Sequence, residues 1–323
     1  MTPRARVAAI VAAAACVAAG AVVGVTLLQT RGESTTAPGV VTKPRAGIPP
    51  LFLDFGVRDD AQVRDLSRAA DLLAKKRVAA ARALFARYHS LAAEIGTAFA
   101  NWPNGSLDRL KQLAGQNPQS AFAAFNLGSA YLWSGRPGDA ATLWRRVATT
   151  FPDSPESVQA ENLLYPRYAK DLPFLVLPVT LPSAPTRAAQ LRGLAAAARR
   201  PDEAAKLRYG LALWQLWRRV SAERQFAAAA KLAPRDPAAR AAAAVALFTK
   251  RAPVRAFSQL GPLTGVFPRS AAVRFHLGVL LVWTGEAKKG LAQLRLAAAD
   301  EPDSLYGREA KRLLSALVTH GTK

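Results

Sequence analysis

NPQSAFAAFNLGSAYLWSGRPGDAATLWRRVATTFPDS, residues 117–154, contains two apolar-periodic segments separated by a turn that carries Gly135 and Pro137. Each segment is long enough for three to four helical turns, so the stretch is predicted to fold as a pair of helices packed back to back. Within it, Leu127-Gly128-x-x-Tyr131 lies on the first segment, Ala140-x-x-x-Trp144 on the second, and Pro152 closes the unit. One such pair cannot bury its own apolar faces, so neighbours with the same period are required. Pro118 and Pro152 lie 34 residues apart, and Pro234, Pro268 and Pro302 follow one another at that same interval.

Three later windows carry the pattern: Tyr209-Gly210-x-x-Leu213 with Ala222-x-x-x-Phe226, Ala243-Ala244-x-x-Leu247 with Ala256-x-x-x-Leu260, and Leu277-Gly278-x-x-Leu281 with Gly290-x-x-x-Leu294. These positions, at this spacing, resemble the tetratricopeptide repeat. Ala124 departs from the pattern, since the family often carries Trp there. The resemblance implies an all-α fold, a tetratricopeptide-like α-solenoid of antiparallel helix pairs. The small residues Gly128, Gly210, Ala244 and Gly278 then mark where the two helices of a unit approach closely. Ala81-x-x-x-Phe85 and residues 107–114 read as weaker units on either side of a break at 96–105, and residues 305–317 read as a terminal capping helix.

Ahead of the repeats, residues 1–6 form a short tail with Arg4 and Arg6, and residues 7–28 are a run of 22 without a charge. At 1.5 Å per residue that run would reach about 33 Å, enough to span a bilayer as one transmembrane helix. It exceeds a secretory h-region and has no small-residue cleavage site after it, so an uncleaved signal-anchor is expected. The lone cysteine, Cys16, lies inside the run and is read as a small apolar residue. Residues 29–56, rich in Ser, Thr, Pro and Gly, are expected to be a flexible stalk, although Leu51, Phe52, Leu53 and Phe55 must be buried somewhere. A first repeat block is assigned to 57–170, a Pro-rich extended arm to 171–185, and a second block with its capping helix to 186–323. The two blocks look related, since Trp133 and Trp283, Gly135 and Gly285, and the Pro-Asp-Ser runs at 152–154 and 302–304 fall in matching places. The expected location is the cell membrane, crossed once, with the C-terminal domain outside the cytoplasm.

The formal charge is +22, from 44 Lys and Arg against 22 Asp and Glu. This favours anionic partners. Basic residues do not cluster in long runs or interleave with aromatics as a stacking platform requires, so nucleic acid is not an expected partner. One cysteine excludes an intramolecular disulfide and a Cys-based metal site. Only His89, His276 and His320 offer a near-neutral base, and there is no phosphate loop, nucleophile elbow or paired metal-binding His. The chain is therefore not expected to be an enzyme. No catalytic residue, metal or cofactor is assigned.

Aromatic residues carry the functional expectation. In the tetratricopeptide family the first helix of each unit lines a concave groove, and the resemblance places Phe122, Phe125 and Trp133, Leu207 and Trp214, Phe248, and Phe275 and Trp283 on that face. Such a face would hold an apolar or amphipathic peptide, because Trp and Phe supply contact area at small entropic cost. Core packing competes for each of these side chains, and residues 51–55 or 174–179 could fill the groove from within. The expected role is a membrane-anchored scaffold for protein–protein interaction in an extracytoplasmic assembly or maturation process, with an unidentified protein or peptide as partner. The alternative is a basic module that docks on anionic lipid or cell-wall polymer.

Overall fold

The computed structural model describes residues 42–321, and they fold into helices joined by turns and two extended segments, with no strand among the described residues. Residues 1–6 and the run 7–28 with Cys16 lie outside the described residues. The expectation of a single-pass protein of the cell membrane is corrected: among the described residues no helix is long and apolar enough to cross a membrane. Neither a membrane span nor a location follows from the structure.

The chain divides into two compact units, one ending at Leu164 and the other beginning at Tyr165. The first unit holds α1 (Ala61–Ala74), α2 (Val78–Phe85), α3 (Leu91–Ala100), α4 (Ser106–Gln116), α5 (Ala121–Trp133), α6 (Pro137–Thr150) and α7 (Pro155–Leu164). Successive helices pair, α1 with α2, α3 with α4 and α5 with α6, and α7 closes the stack against α6. Side-chain caps start several of them: Asp60 Oδ1 accepts from the Val63 amide at 3.1 Å, and Ser120 Oγ accepts from the Ala123 amide at 3.1 Å. Pro137 stands in the first turn of α6, where its missing N–H costs nothing. Leu66, Phe85, Ile95, Phe99, Leu110 and Leu113 form the core, each essentially sealed from solvent, which is worth about 1.5–3 kcal/mol per side chain.

The sequence places a break at 96–105, but the helix α3 runs through Gly96 and stops only at Ala100. Gly96 is a packing residue, because the Phe85 ring occupies the space a Cβ would need. The turn proper follows at 101–105 and ends on Gly105 at φ +66°.

The second unit holds α8 (Arg187–Ala197), α9 (Glu203–Gln215), α10 (Arg219–Leu232), α11 (Pro237–Ala246), α12 (Val254–Leu260), α13 (Leu263–Val266), α14 (Ala271–Trp283), α15 (Ala287–Asp300) and α16 (Leu305–Gly321). Here α9 pairs with α10 and α14 with α15, and α16 packs on both members of the latter pair. Thr186 and Asp202 cap α8 and α9 through the amides of Ala189 and Ala205. The partner of α11 is split into α12 and α13 at Gly261-Pro262, because Pro262 cannot donate to the helix ladder.

In both units the recurrent glycines do one job. A Cβ on Gly128 would stand 2.5 Å from Trp144 Nε1, one on Gly210 2.5 Å from the Phe226 ring, and one on Gly278 2.8 Å from Leu294 Cγ. In each case the obstructing residue is the large one sixteen positions on, in the second helix of the same pair. Small against large is what lets the two helices close together.

Candidate peptide groove

In the first unit residues 42–55 lie along α5 and run antiparallel to it. The Thr42 amide donates to the Gly135 carbonyl at 2.6 Å and the Arg45 amide to the Trp133 carbonyl at 2.8 Å, both just beyond or at the C-terminal end of α5. A Cβ on Gly135, whose φ is +76°, would run into the Thr42 carbonyl, so glycine is needed there both for the turn and for the approach. Two turns further back, the carboxamide of Asn126 accepts from the Phe52 amide at 3.1 Å and donates to the Phe52 carbonyl at 3.1 Å, and it also donates to the Phe122 carbonyl at 3.0 Å. Asn126 is fully buried. The Phe52 ring meets Phe125 edge-on at 5.3 Å, and the Arg45 guanidinium stands 5.2 Å over the Trp133 ring.

The composition of 29–56 reads as a flexible stalk, whereas its described part is seated on a helix. The apolar residues Leu51, Phe52, Leu53 and Phe55 supply the reason, since each is half-buried against the unit.

In the second unit residues 169–179 lie along α14 in the same way. The Ala169 amide donates to the Trp283 carbonyl at 3.1 Å, and the Val176 amide donates to His276 Nε2 at 3.3 Å. Because an amide can only donate, Nε2 is the acceptor, and Nδ1 therefore carries the proton and donates to the Ala272 carbonyl at 2.7 Å. Complete burial holds the His276 pKa down to about 4, so the ring is neutral in the pH range where it normally titrates. Trp214 Nε1 donates to the Pro173 carbonyl at 3.0 Å, and the Phe174 ring meets Phe275 edge-on at 6.5 Å.

These are two copies of one device. Arg45 and Phe52 are seven residues apart, as are Ala169 and Val176; Trp133 and Asn126 are seven apart, as are Trp283 and His276. Aligned on these contacts, AGIPPLFLDF (46–55) matches KDLPFLVLPV (170–179), with Ile48 over Leu172, Pro49 over Pro173, Leu51 over Leu175 and Leu53 over Leu177. Gly47 and Asp171 fall together and both have positive φ, +80° and +65°. Pro49 and Pro173 are both buried, and Ala46 and Asp54 are exposed as are Lys170 and Pro178. Thr42 falls over Pro166, which has no amide to donate. The Thr42–Gly135 backbone contact therefore has no counterpart at Pro166.

Of the side chains expected on the groove face, Phe122, Phe125 and Trp133 lie in the first unit and Leu207, Trp214, Phe248, Phe275 and Trp283 in the second. Phe125 is 4% exposed, between Phe52 and Trp144; Phe122 is half-buried and lines a cavity of about 250 Å³ with Asp54, Phe55, Arg58, Gln62 and Leu91. Trp133 and Trp283 each give their carbonyl to an arm. Leu207, Trp214, Phe248 and Phe275 belong to one buried cluster with Leu175 and Leu177 of the second arm. Asn126 and His276 are absent from the expected set. Their signal was the polar residue following the aromatic in two matching windows, Phe125-Asn126-Leu127-Gly128 and Phe275-His276-Leu277-Gly278.

Paired carboxyls form the other electrostatic feature of the second unit. A hydrogen bond shared with Asp236 is the main cause that raises the Glu203 pKa to about 7, with partial burial and the charges of Asp236 and Asp202 adding to it. Among the described residues no group of three or more His, Cys, Asp or Glu side chains is placed to hold a metal ion.

Fold and site together define an all-α protein of repeated helix pairs, each unit carrying an extended segment on one helix face. No protein-family profile and no curated protein matches the chain. Among solved structures, yeast Tom70 is similar over 84% of this chain at 13% identity and a TM-score of 0.37, and this chain spans about half (52%) of that one. The TPR2AB domain of yeast Sti1, solved as its pHSP90 complex, is similar over 80% of this chain and 98% of its own at 13% identity and a TM-score of 0.29. A tetratricopeptide repeat protein from Parabacteroides merdae is similar over the same shares at 14% identity and a TM-score of 0.31. The overlaps are shallow, and the fold assignment rests on the helix pairs themselves.

Proposed function

We propose that the chain is a protein-interaction scaffold that binds an extended apolar peptide along the faces of α5 and α14. The observation that carries this reading is how the arms are held. Asn126 and His276 contact the backbone of Phe52 and Val176, not their side chains, and the Trp133 and Trp283 carbonyls likewise take backbone amides. A helix face that pairs with main chain at fixed intervals, beside Phe125 or Phe275, is a surface built for a peptide in extended form. Ordinary core packing needs no such buried polar groups, and burying them unpaired would cost about 1–3 kcal/mol each.

Photocrosslinking tests it, with a photoreactive residue at position 133 or 283 of the full chain. The expected result is a discrete adduct with another protein that weakens when Phe125 or Phe275 is changed to Ala. Adducts confined to the chain's own residues 42–56 or 169–179 would overturn the reading and direct attention to the basic surface, whose binding to anionic polymer should vanish at high salt.

A further inference from the structure

We propose that the α5 face takes a partner segment of the pattern (Ile/Leu)-Pro-x-Leu-(Phe/Val)-Leu-x-(Phe/Val), which displaces residues 45–55. This inference rests on the reading of that face as a peptide groove and names the class of peptide.

The two arms are two instances of one arrangement, an extended segment seated on a helix face. They share few identical residues, yet both place a branched aliphatic residue, a buried proline, and leucines two and four positions after the proline at the same distances from the helix contacts. What is common to both states what the face requires. Proline suits it because it is extended in advance and has no amide to leave unpaired. The leucines suit it because alternate residues of an extended chain point the same way. Two positions where the arms differ, Ala46 against Lys170 and Asp54 against Pro178, are exposed in both.

The first arm is the replaceable one. Leu175 and Leu177 of the second arm are buried, at 7% and 6% exposure, whereas Leu51 and Leu53 in the same places are only half-buried. The indole Nε1 of Trp133, like that of Trp283 in the second unit, is buried without an acceptor. A competing segment that offers a carbonyl there gains a hydrogen bond that residues 45–55 do not make.

The test uses the full chain and fluorescein-labelled peptides with the sequences of residues 44–56 and 168–180, read by anisotropy. The wild-type chain should bind both weakly, because the tethered arm competes at a high effective concentration. A Leu51→Asp/Phe52→Asp chain should bind both about tenfold or more tightly than wild type, since its groove is no longer occupied. Adding Asn126→Ala should reverse most of that gain, and a peptide with Ala in place of the proline and first leucine should bind poorly. If the double variant loses cooperative unfolding, Phe52→Ala takes its place. A folded, arm-loosened chain that binds neither peptide overturns the proposal. If protein adducts at position 133 persist in that case, the groove stands and only the motif falls; if they too are absent, both fall. A wild-type dimer that dissociates with excess peptide would put the arm of a second copy on α5 and overturn the proposal of a separate partner.

Discussion

The carboxamide of Asn126 closes on the main chain of Phe52 from both sides, accepting its N–H and donating to its C=O at 3.1 Å each. The two residues are 74 positions apart. This takes a side chain with a donor and an acceptor on one carbon, as a carboxamide has, and Asn126, fixed by its third bond to the Phe122 carbonyl, holds the required orientation. Asn126→Ala should cost about 1–3 kcal/mol in a urea titration. Asn126→Asp should cost at least as much, since an ionised carboxylate faces two carbonyls it cannot donate to. In both variants hydrogen exchange at the Phe52 amide should quicken while exchange in the core of α3 does not.

His276 makes the second arm sensitive to acid. The unfolded ring takes its proton near its ordinary value of 6.5 and the folded ring only near 4, so between those values the unfolded state binds more protons. Stability should therefore fall as the pH drops from 6.5 to 4, by up to about 3 kcal/mol in all. The protonated ring can no longer accept from the Val176 amide, so protease cleavage within 169–179 should rise over the same range. His276→Asn, which places the first unit's residue at the equivalent position, should flatten this dependence in urea titrations at pH 4.5 and 7.

Glu203 works in the opposite direction. Its pKa is raised in the folded state, from 4.5 to about 7, first by the hydrogen bond shared with Asp236. That contribution is present in full below pH 4.5 and is lost as the pH rises through about 7. Glu203→Gln keeps a donor for Asp236 without the proton equilibrium. It should raise the urea midpoint at pH 8 relative to wild type and change it little at pH 5.

Gly128→Ala tests the helix pair itself. The new methyl would press on Trp144, whose Nε1 is already committed to the Phe125 carbonyl at 3.2 Å and whose ring is buried. A loss of about 1–3 kcal/mol is expected. Gly193→Ala, where a Cβ meets nothing within 4 Å on α8, should be neutral or slightly stabilising in the same titration.

The helix pairs were legible in the sequence because their constraints are local. Gly128 and Trp144, or Gly210 and Phe226, sit sixteen residues apart in one repeat, and after Gly210 the period of 34 brings a small residue back at Ala244 and Gly278. Gly96 was misread because a glycine in a short window signals a turn as readily as a close approach, and only the position of Phe85 decides between them. Both arms are legible as extended segments able to fill the groove from within, but their likeness to each other is hidden for a different reason. Extended, proline-bearing segments have no helical period, and their likeness is displaced from that of the helices: arm residues match at a shift of 124, whereas Trp133 and Asn126 match Trp283 and His276 at a shift of 150. The second unit has the extra helix α8 between arm and face, so no single self-comparison aligns both halves.

The antiparallel course of the first arm also sets how it responds to force. Its contacts lie in series, Thr42 to Gly135, then Arg45 to Trp133, then Phe52 to Asn126. A pull on Thr42 directed away from α5 loads them one after another, as a zipper is opened, so the arm yields at low tension and each break exposes the next. The same pull directed along α5 loads all three together and meets far greater resistance. The direction of a tug, more than its strength, decides whether the face is uncovered.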